Sequence, residues 1–290
     1  TPTIGKITQR TIPERNTQIA ELLSGRADWM WRVPADQAER MESSGRVQVV
    51  NEETFRIGYL TMDASGSTGD TPLKNPLVRK AISYAIDREG IVKALVRGKS
   101  SVVNSACFPS QVGCTGDVTK YPFDPKKAKE LLAEAGYPDG FTLDFYAYRD
   151  RDYAEAMMGF LNQVGIKVNF GFLKYAALRD KIRAKEVPMA FMTWGSNSVN
   201  DVSAITSHFF GGTSDDLAND TEVQALLKKG DTTVDTAARS AAYKEALQII
   251  ADKAYWLPLW SYNTNYAFSN DLNFTPSSDE IPRFFSTSWK

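Results

Sequence analysis

The sequence predicts an α/β fold on two observations. From Phe141 to Trp194, strand-like and helix-like stretches alternate in the order βαβαβ, the pattern of helices laid against a sheet. Ahead of them, Asn75-Pro76 and Asp124-Pro125 each set a capping side chain before a proline. That pairing starts a helix, because the cap accepts from first-turn amides and proline gives up an N–H the helix does not use. At roughly 150 residues per domain, the 290 residues allow one large domain or two ordinary ones.

Along the chain, Ile4 to Ile12 reads as strand-like, Glu14 to Leu23 as a helix closed by Ser24-Gly25, and Asp28 to Val33 as an apolar run. A helix from Pro34 to about Met41 and strands Val47 to Val50 and Phe55 to Met62 follow. The Gly/Ser/Thr-rich segment Ser65 to Thr71 breaks the pattern as a boundary would. The helix after Asn75 carries an apolar stripe at Val78, Ile82, Ala85 and Ile86, and Asp87 caps a second helix, Arg88 to Val96, stopped by Gly98. Residues 99 to 122 form a loop with both cysteines, and the helix after Asp124 ends at Gly136. The βαβαβ run comprises strands Phe141 to Tyr148, Ile166 to Leu173 and Met189 to Trp194, with helices Tyr153 to Val164 and Ala176 to Ala184 between them. Helices Val202 to Phe210, Glu222 to Lys228 and Thr236 to Ala254 and strands Trp256 to Trp260 and Asn263 to Phe268 complete the reading.

Composition removes several classes of function. There are 34 basic and 35 acidic residues, a net charge of −1, and no block of five or more Lys/Arg, so the electrostatic footprint of a nucleic-acid or membrane-surface binder is missing. No apolar run reaches the length of a membrane span. One histidine and two cysteines are too few for a His/Cys zinc site or a Ser–His or thiol–imidazole pair of the usual kind, so no metal, cofactor or catalytic residue is assigned. His208, among apolar neighbours, is given no role, and the Gly66 to Gly69 and Gly211 to Thr213 segments lack the Gly-Lys-Ser/Thr of a phosphate loop. Cys107 and Cys114 in one Ser/Gly/Pro-rich loop are read as a disulfide contributing roughly 2.5 kcal/mol in the chain-entropy model, with two free thiols the alternative. A disulfide implies an oxidising compartment.

The candidate binding residues are aromatic and short polar side chains. Six Trp and twelve Tyr include Trp31, Tyr59, Trp194 and Trp256 near strand ends, where planar rings with one polar atom either wall a ligand or fill a core. After the strand ending at Trp194 come Ser196, Asn197, Ser198, Asn200 and Asp201, in the place where open α/β sheets bind ligands. The alternative is a loop in which Asn200 or Asp201 simply caps the next helix. Arg149, after strand Phe141 to Tyr148, is the cation best placed for a ligand carboxylate, or else a surface arginine.

Two long stretches carry a family likeness. Asn75 to Arg88 (NPLVRKAISYAIDR) and Tyr121 to Phe141 (YPFDPKKAKELLAEAGYPDGF) resemble the extracellular solute-binding proteins of the peptide/nickel class, family 5, that serve ATP-binding cassette importers. Leu22 to Asp28 (LLSGRAD) and Tyr255 to Trp260 (YWLPLW) resemble that family's segments at its two crossovers. The resemblance implies a periplasmic-binding-protein-like fold, type II, cluster C, with two lobes. Residues 1–60 would be part of lobe one, 61–256 lobe two, and 257–290 the return strands and tail of lobe one. Since the family is longer and this chain opens on Thr1-Pro2, the expectation is one complete lobe with parts of the other, from a processed or truncated chain. The implied protein is a periplasmic monomer, with a lipid anchor on a missing amino terminus as one option. It would close two lobes around a small-molecule or peptide solute and deliver it to the permease's membrane subunits.

In peptide-binding relatives, a carboxylate three residues after a Trp like Trp194 pairs with the ligand's amino group. Here that place holds Asn197, so a free amino terminus has lost this partner unless Asp201 takes it. With one histidine, a metal would be held through an organic chelator. The competing reading, an α/β hydrolytic enzyme acting on peptides or small amides, lacks a visible nucleophile–base pair.

Overall fold

The computed structural model describes residues 2–196 and 199–290. In chain order the elements are α1 (Arg15–Leu23), β1 (Trp29–Trp31), α2 (Ala35–Ser43), β2 (Val47–Met62), α3 (Pro76–Ala85), α4 (Arg88–Ile91), α5 (Pro125–Glu134), β3 (Phe141–Ala147), α6 (Arg151–Gln163), β4 (Ile166–Phe172), α7 (Tyr175–Arg183), β5 (Met189–Gly195), α8 (Ser203–Phe210), α9 (Thr221–Thr232), α10 (Thr236–Asp252), β6 (Trp256–Ser269), β7 (Leu272–Asn273) and β8 (Ser288–Trp289). They fall into two compact units. One comprises Thr1–Phe55, Val96–Ser100 and Tyr262–Lys290, and the other Arg56–Leu95 and Ser101–Ser261. The long strands β2 and β6 each pass from one unit into the other.

In the first unit β1 runs antiparallel to β6, Trp29 opposite Phe268 and Met30 opposite Ala267. Strand alternation divides its side chains between two cores. Met30 and Ala267 join Ile19, Leu22, Ala38 and Met41 of α1 and α2, whereas Trp29, Trp31, Tyr266 and Phe268 join Leu272, Phe274 and Phe284. Ile4 to Ile12 forms no strand.

In the second unit the strand order is β2-β5-β3-β4. β3 lies parallel to both β4 and β5, as the βαβαβ pattern requires, and β2 runs antiparallel to β5 from Arg56↔Gly195 to Met62↔Met189. Parallel strands are covered on both faces, and β5 is buried at its first five positions. Gly140, just before β3, has φ +77°, and a Cβ there would stand 1.9 Å from the Gly165 carbonyl oxygen that precedes β4. Only glycine lets the two strands begin so close together.

The caps are formed as read. Asn75 accepts from the Leu77 amide (2.9 Å), Asp87 from Gly90 (2.8 Å) and Asp124 from Lys127 (2.9 Å). The Ser65 to Thr71 segment is no boundary between units: it winds around the buried Asp63 carboxylate, which accepts from Ser65, Ser67 and Thr68. Two arginines of the family-like stretches tie this scaffold together. Arg79 is buried and donates to the carbonyls of Leu73, Lys74, Lys253 and Ala254. Arg88 donates to the carbonyls of Val103, Tyr121 and Pro258 and to Asn104 Oδ1. Burial draws its guanidinium down to about 10, still charged at neutral pH.

Candidate functional site

Because β3, β4 and β5 are parallel, their carboxy-terminal ends share one edge, where open α/β sheets hold ligands. Tyr148 follows β3, Tyr175 opens α7 after β4, and Trp194 stands near the end of β5. The Tyr148 and Tyr175 rings lie 5.1 Å apart, and Tyr175 is 53% exposed. The Tyr148 hydroxyl is 2.7 Å from Thr193 Oγ1, to which Arg56 also donates.

Trp194 is the centre of the cluster. Its ring stacks on His208 of α8 (4.9 Å, 20° between planes) and meets the edge of Phe209. The His208 side chain is 38% exposed, with Nε2 2.9 Å from Asp215 Oδ2. Arg179 of α7 reaches the same oxygen at 2.8 Å. Burial alone would raise the Asp215 carboxyl, but the hydrogen bond and charge of Arg179, with those of His208, hold it below the ordinary range. Trp194 Nε1 and Asp215 Oδ1 are both buried with no hydrogen-bond partner among the described residues. Unpaired buried polar atoms are uncommon and costly; the indole nitrogens of Trp29 and Trp260 are buried in the same way, so the distinguishing atom here is Asp215 Oδ1, the one carboxylate oxygen of this kind among the described residues.

The remaining expected residues are placed as follows. Ser196 is buried and accepts from Gln111 Nε2 at 2.8 Å. Asn197 lies outside the described residues. Asn200 is exposed, its carbonyl accepting from the Val112 amide. The Asp201 carboxylate is occupied within the fold. Arg239 binds it through two nitrogens at 2.7 and 2.8 Å, and it also accepts from the Ser203 amide and hydroxyl at the start of α8. A ligand ammonium group would have to displace a bidentate guanidinium, and the capping alternative describes this residue better. Tyr59 is 1% exposed and stacked on Trp256 (3.7 Å, 6°), so it fills the core instead of walling a ligand. Arg149 is half-buried, with Nε 2.7 Å from the Asp150 carboxylate. Trp31 belongs to the first unit, where the Arg32 guanidinium sits 4.5 Å from its ring centroid.

His208, Tyr148 and Tyr175 were not singled out from sequence. For the tyrosines a signal existed, their place just beyond strands of a parallel unit. His208 gave none, since its stack on Trp194 spans 14 residues. Cys107 and Cys114 form the disulfide, with Cα atoms 5.9 Å apart. Among the described residues no group of three or more His, Cys, Asp or Glu is arranged to hold a metal ion, and no helix is long and apolar enough to cross a membrane. A cavity of about 10 Å³ beside Arg88 and Trp256 has room for one water and not for a solute.

Aromatic rings and an unsatisfied carboxylate oxygen thus gather near the carboxy-terminal ends of the parallel strands. Residues 1–216 match the profile of the bacterial extracellular solute-binding proteins, family 5 (its middle region), and the chain belongs to that family. It is similar to heme-binding protein A of Haemophilus influenzae, 26% identical over 282 residues, covering 93% of this chain and 49% of that one. The glutathione-binding protein GsiB of Salmonella paratyphi A is 28% identical over 273 residues, covering 89% and 52%. The chain thus spans about half the length of these curated relatives. The crystal structure of a dipeptide-binding protein from Pseudoalteromonas sp. SM9913 in complex with Met-Leu shares the fold, with a TM-score of 0.84 at 23% identity over 96% of this chain and 57% of that one.

Proposed function

We propose that the chain belongs to the solute-binding component of an ATP-binding cassette importer, working in the periplasm. It captures a peptide-like or other polar organic solute between two lobes and presents it to the membrane permease. The observation that carries this reading is the family match over residues 1–216. The Trp194–His208 cluster supports a place for the solute within the chain: flat rings for its apolar parts, and a buried N–H and a buried carboxylate oxygen awaiting polar ones. A hydrolytic enzyme fits less well. The ring of His208, the sole imidazole, is bonded to Asp215 and stacked on Trp194, and no serine, threonine or cysteine side chain bonds to that ring among the described residues.

Native mass spectrometry of the full-length protein tests the proposal. The expected result is a retained small molecule, released unchanged on denaturation. Catalytic consumption of a candidate peptide such as glutathione would overturn it.

A further inference from the structure

We propose that the disulfide-closed loop Cys107–Cys114 is a clamp that sets Ser196 and residues 199–202, ahead of α8, with Gln111 as its positioning residue. The inference rests on the solute-binding reading for its purpose, since the clamped loop joins Trp194 to the helix that carries His208.

Gln111 is long and polar, yet only 4% exposed. Both ends of its amide are used. Oε1 accepts from the Phe108 amide within its own loop (3.0 Å), and Nε2 donates across to Ser196 Oγ (2.8 Å) and the carbonyls of Val199 and Asp201 (both 3.2 Å). The next residue continues the pairing. The Val112 amide donates to the Asn200 carbonyl (3.3 Å) and its carbonyl accepts from the Val202 amide (3.0 Å), a single parallel bridge between Val112 and Asp201. Gly113 then passes against the start of α8 with φ +85°, where a Cβ would stand 2.8 Å from Val202 Cγ1.

Backbone groups from 199 to 202 thus find partners in residues 111 and 112, more than 85 positions away in sequence and outside the sheet. A free loop presenting a glutamine amide and one backbone bridge would sample many conformations. The disulfide removes that freedom, because Cys107 and Cys114 fix both ends of the short segment that carries Gln111, and Cys107 is itself 1% exposed. The opposite side of the clamped loop is held independently by the Asp201–Arg239 pair, so loosening the clamp leaves α8 attached. Gln111 touches no reacting atom and works only through the loop it holds.

The test uses the full-length protein in four forms: wild type, Gln111→Ala, Gln111→Glu, and the double variant Cys107→Ser/Cys114→Ser. Amide hydrogen exchange is followed at Val112 and Val202, with β3, β4 and β5 as internal reference. Gln111→Ala and the double variant are expected to speed exchange at both amides by about tenfold or more while the strands keep their protection. Gln111→Glu keeps the acceptor for Phe108 and loses the donor, so exchange should rise at Val199 to Val202 and stay slow at Phe108. Unchanged exchange at Val202 in all three variants would overturn the clamp, as would loss of protection spread evenly over the sheet. Native mass spectrometry on the same samples reports solute separately. Wild type that retains solute beside variants that lose it supports the purpose, and equal retention overturns it. Wild type that retains nothing overturns the solute-binding reading, leaving the clamp to be judged by exchange alone.

Discussion

The helices α3 to α5 and the Trp194–His208 cluster treat buried polar groups in opposite ways. Around α3 and α4 two guanidiniums are sunk into the interior and their donors are matched to carbonyl oxygens and one side-chain amide. At the cluster, an indole N–H and a carboxylate oxygen are buried with no protein partner among the described residues. Completed hydrogen bonds stabilise a scaffold, whereas the proposed site leaves a carboxylate oxygen for a solute; the unpaired Trp29 and Trp260 nitrogens lie outside that site. The two Arg positions within the family-like stretch therefore serve the architecture.

The sharpest way to break this contrast is at Arg88. Arg88→Ala leaves three carbonyls and an amide oxygen without their charged donor, and should lower unfolding stability by about 4 kcal/mol in urea titrations. A loss below about 1 kcal/mol would mean that the scaffold does not depend on matched donors.

A middle-sized effect is expected at Asp220, the α9 cap, which accepts from the Glu222 and Val223 amides, Lys253 and Tyr255. Burial pushes its carboxyl up, but Lys253, the Tyr255 hydroxyl and the two amides outweigh it and hold the carboxyl at about 2. The folded value lies below the ordinary one, so the stabilisation is complete above pH 4, amounts to about 2 kcal/mol, and fades as pH falls from 4 towards 2. Urea midpoints at pH 7, 4 and 2 should show this decline, and Asp220→Asn should flatten it; an equal decline in the variant would place the acid sensitivity elsewhere.

The smallest change in stability belongs to the cluster. Trp194→Phe removes the unpaired N–H and keeps an apolar ring, so unfolding stability should move by less than about 1 kcal/mol while solute retention by the full-length protein falls. If melting temperature and retention dropped together, Trp194 would be a core residue and the contrast between the regions would fail.

Legibility in the sequence follows the same division. Caps such as Asn75 and Asp124 act on amides two or three residues away, so they can be read from adjacent letters. The continuity of β2 and β6 could not. Asn51 to Thr54 and Ser261-Tyr262 look like breaks, yet in the first unit Thr54 donates to the Tyr262 carbonyl and Asn51 bonds to the side chains of Asn263 and Asn265, so these polar residues keep the strands extended. The end of β5 was marked by its place after a βαβαβ run, but the duties of Tyr59 and Asp201 depend on Trp256 and Arg239, partners that local spacing cannot reveal.

The face-to-face arrangement of Trp194 and His208 has an optical consequence. The emission of an indole depends on the ring stacked against it, so the Trp194 band carries the signature of its His208 contact. The difference spectrum between wild type and Trp194→Phe isolates that one emitter among six tryptophans. A solute that slides between the rings or shifts α8 would change the same light, giving the protein a built-in lamp for its own occupancy.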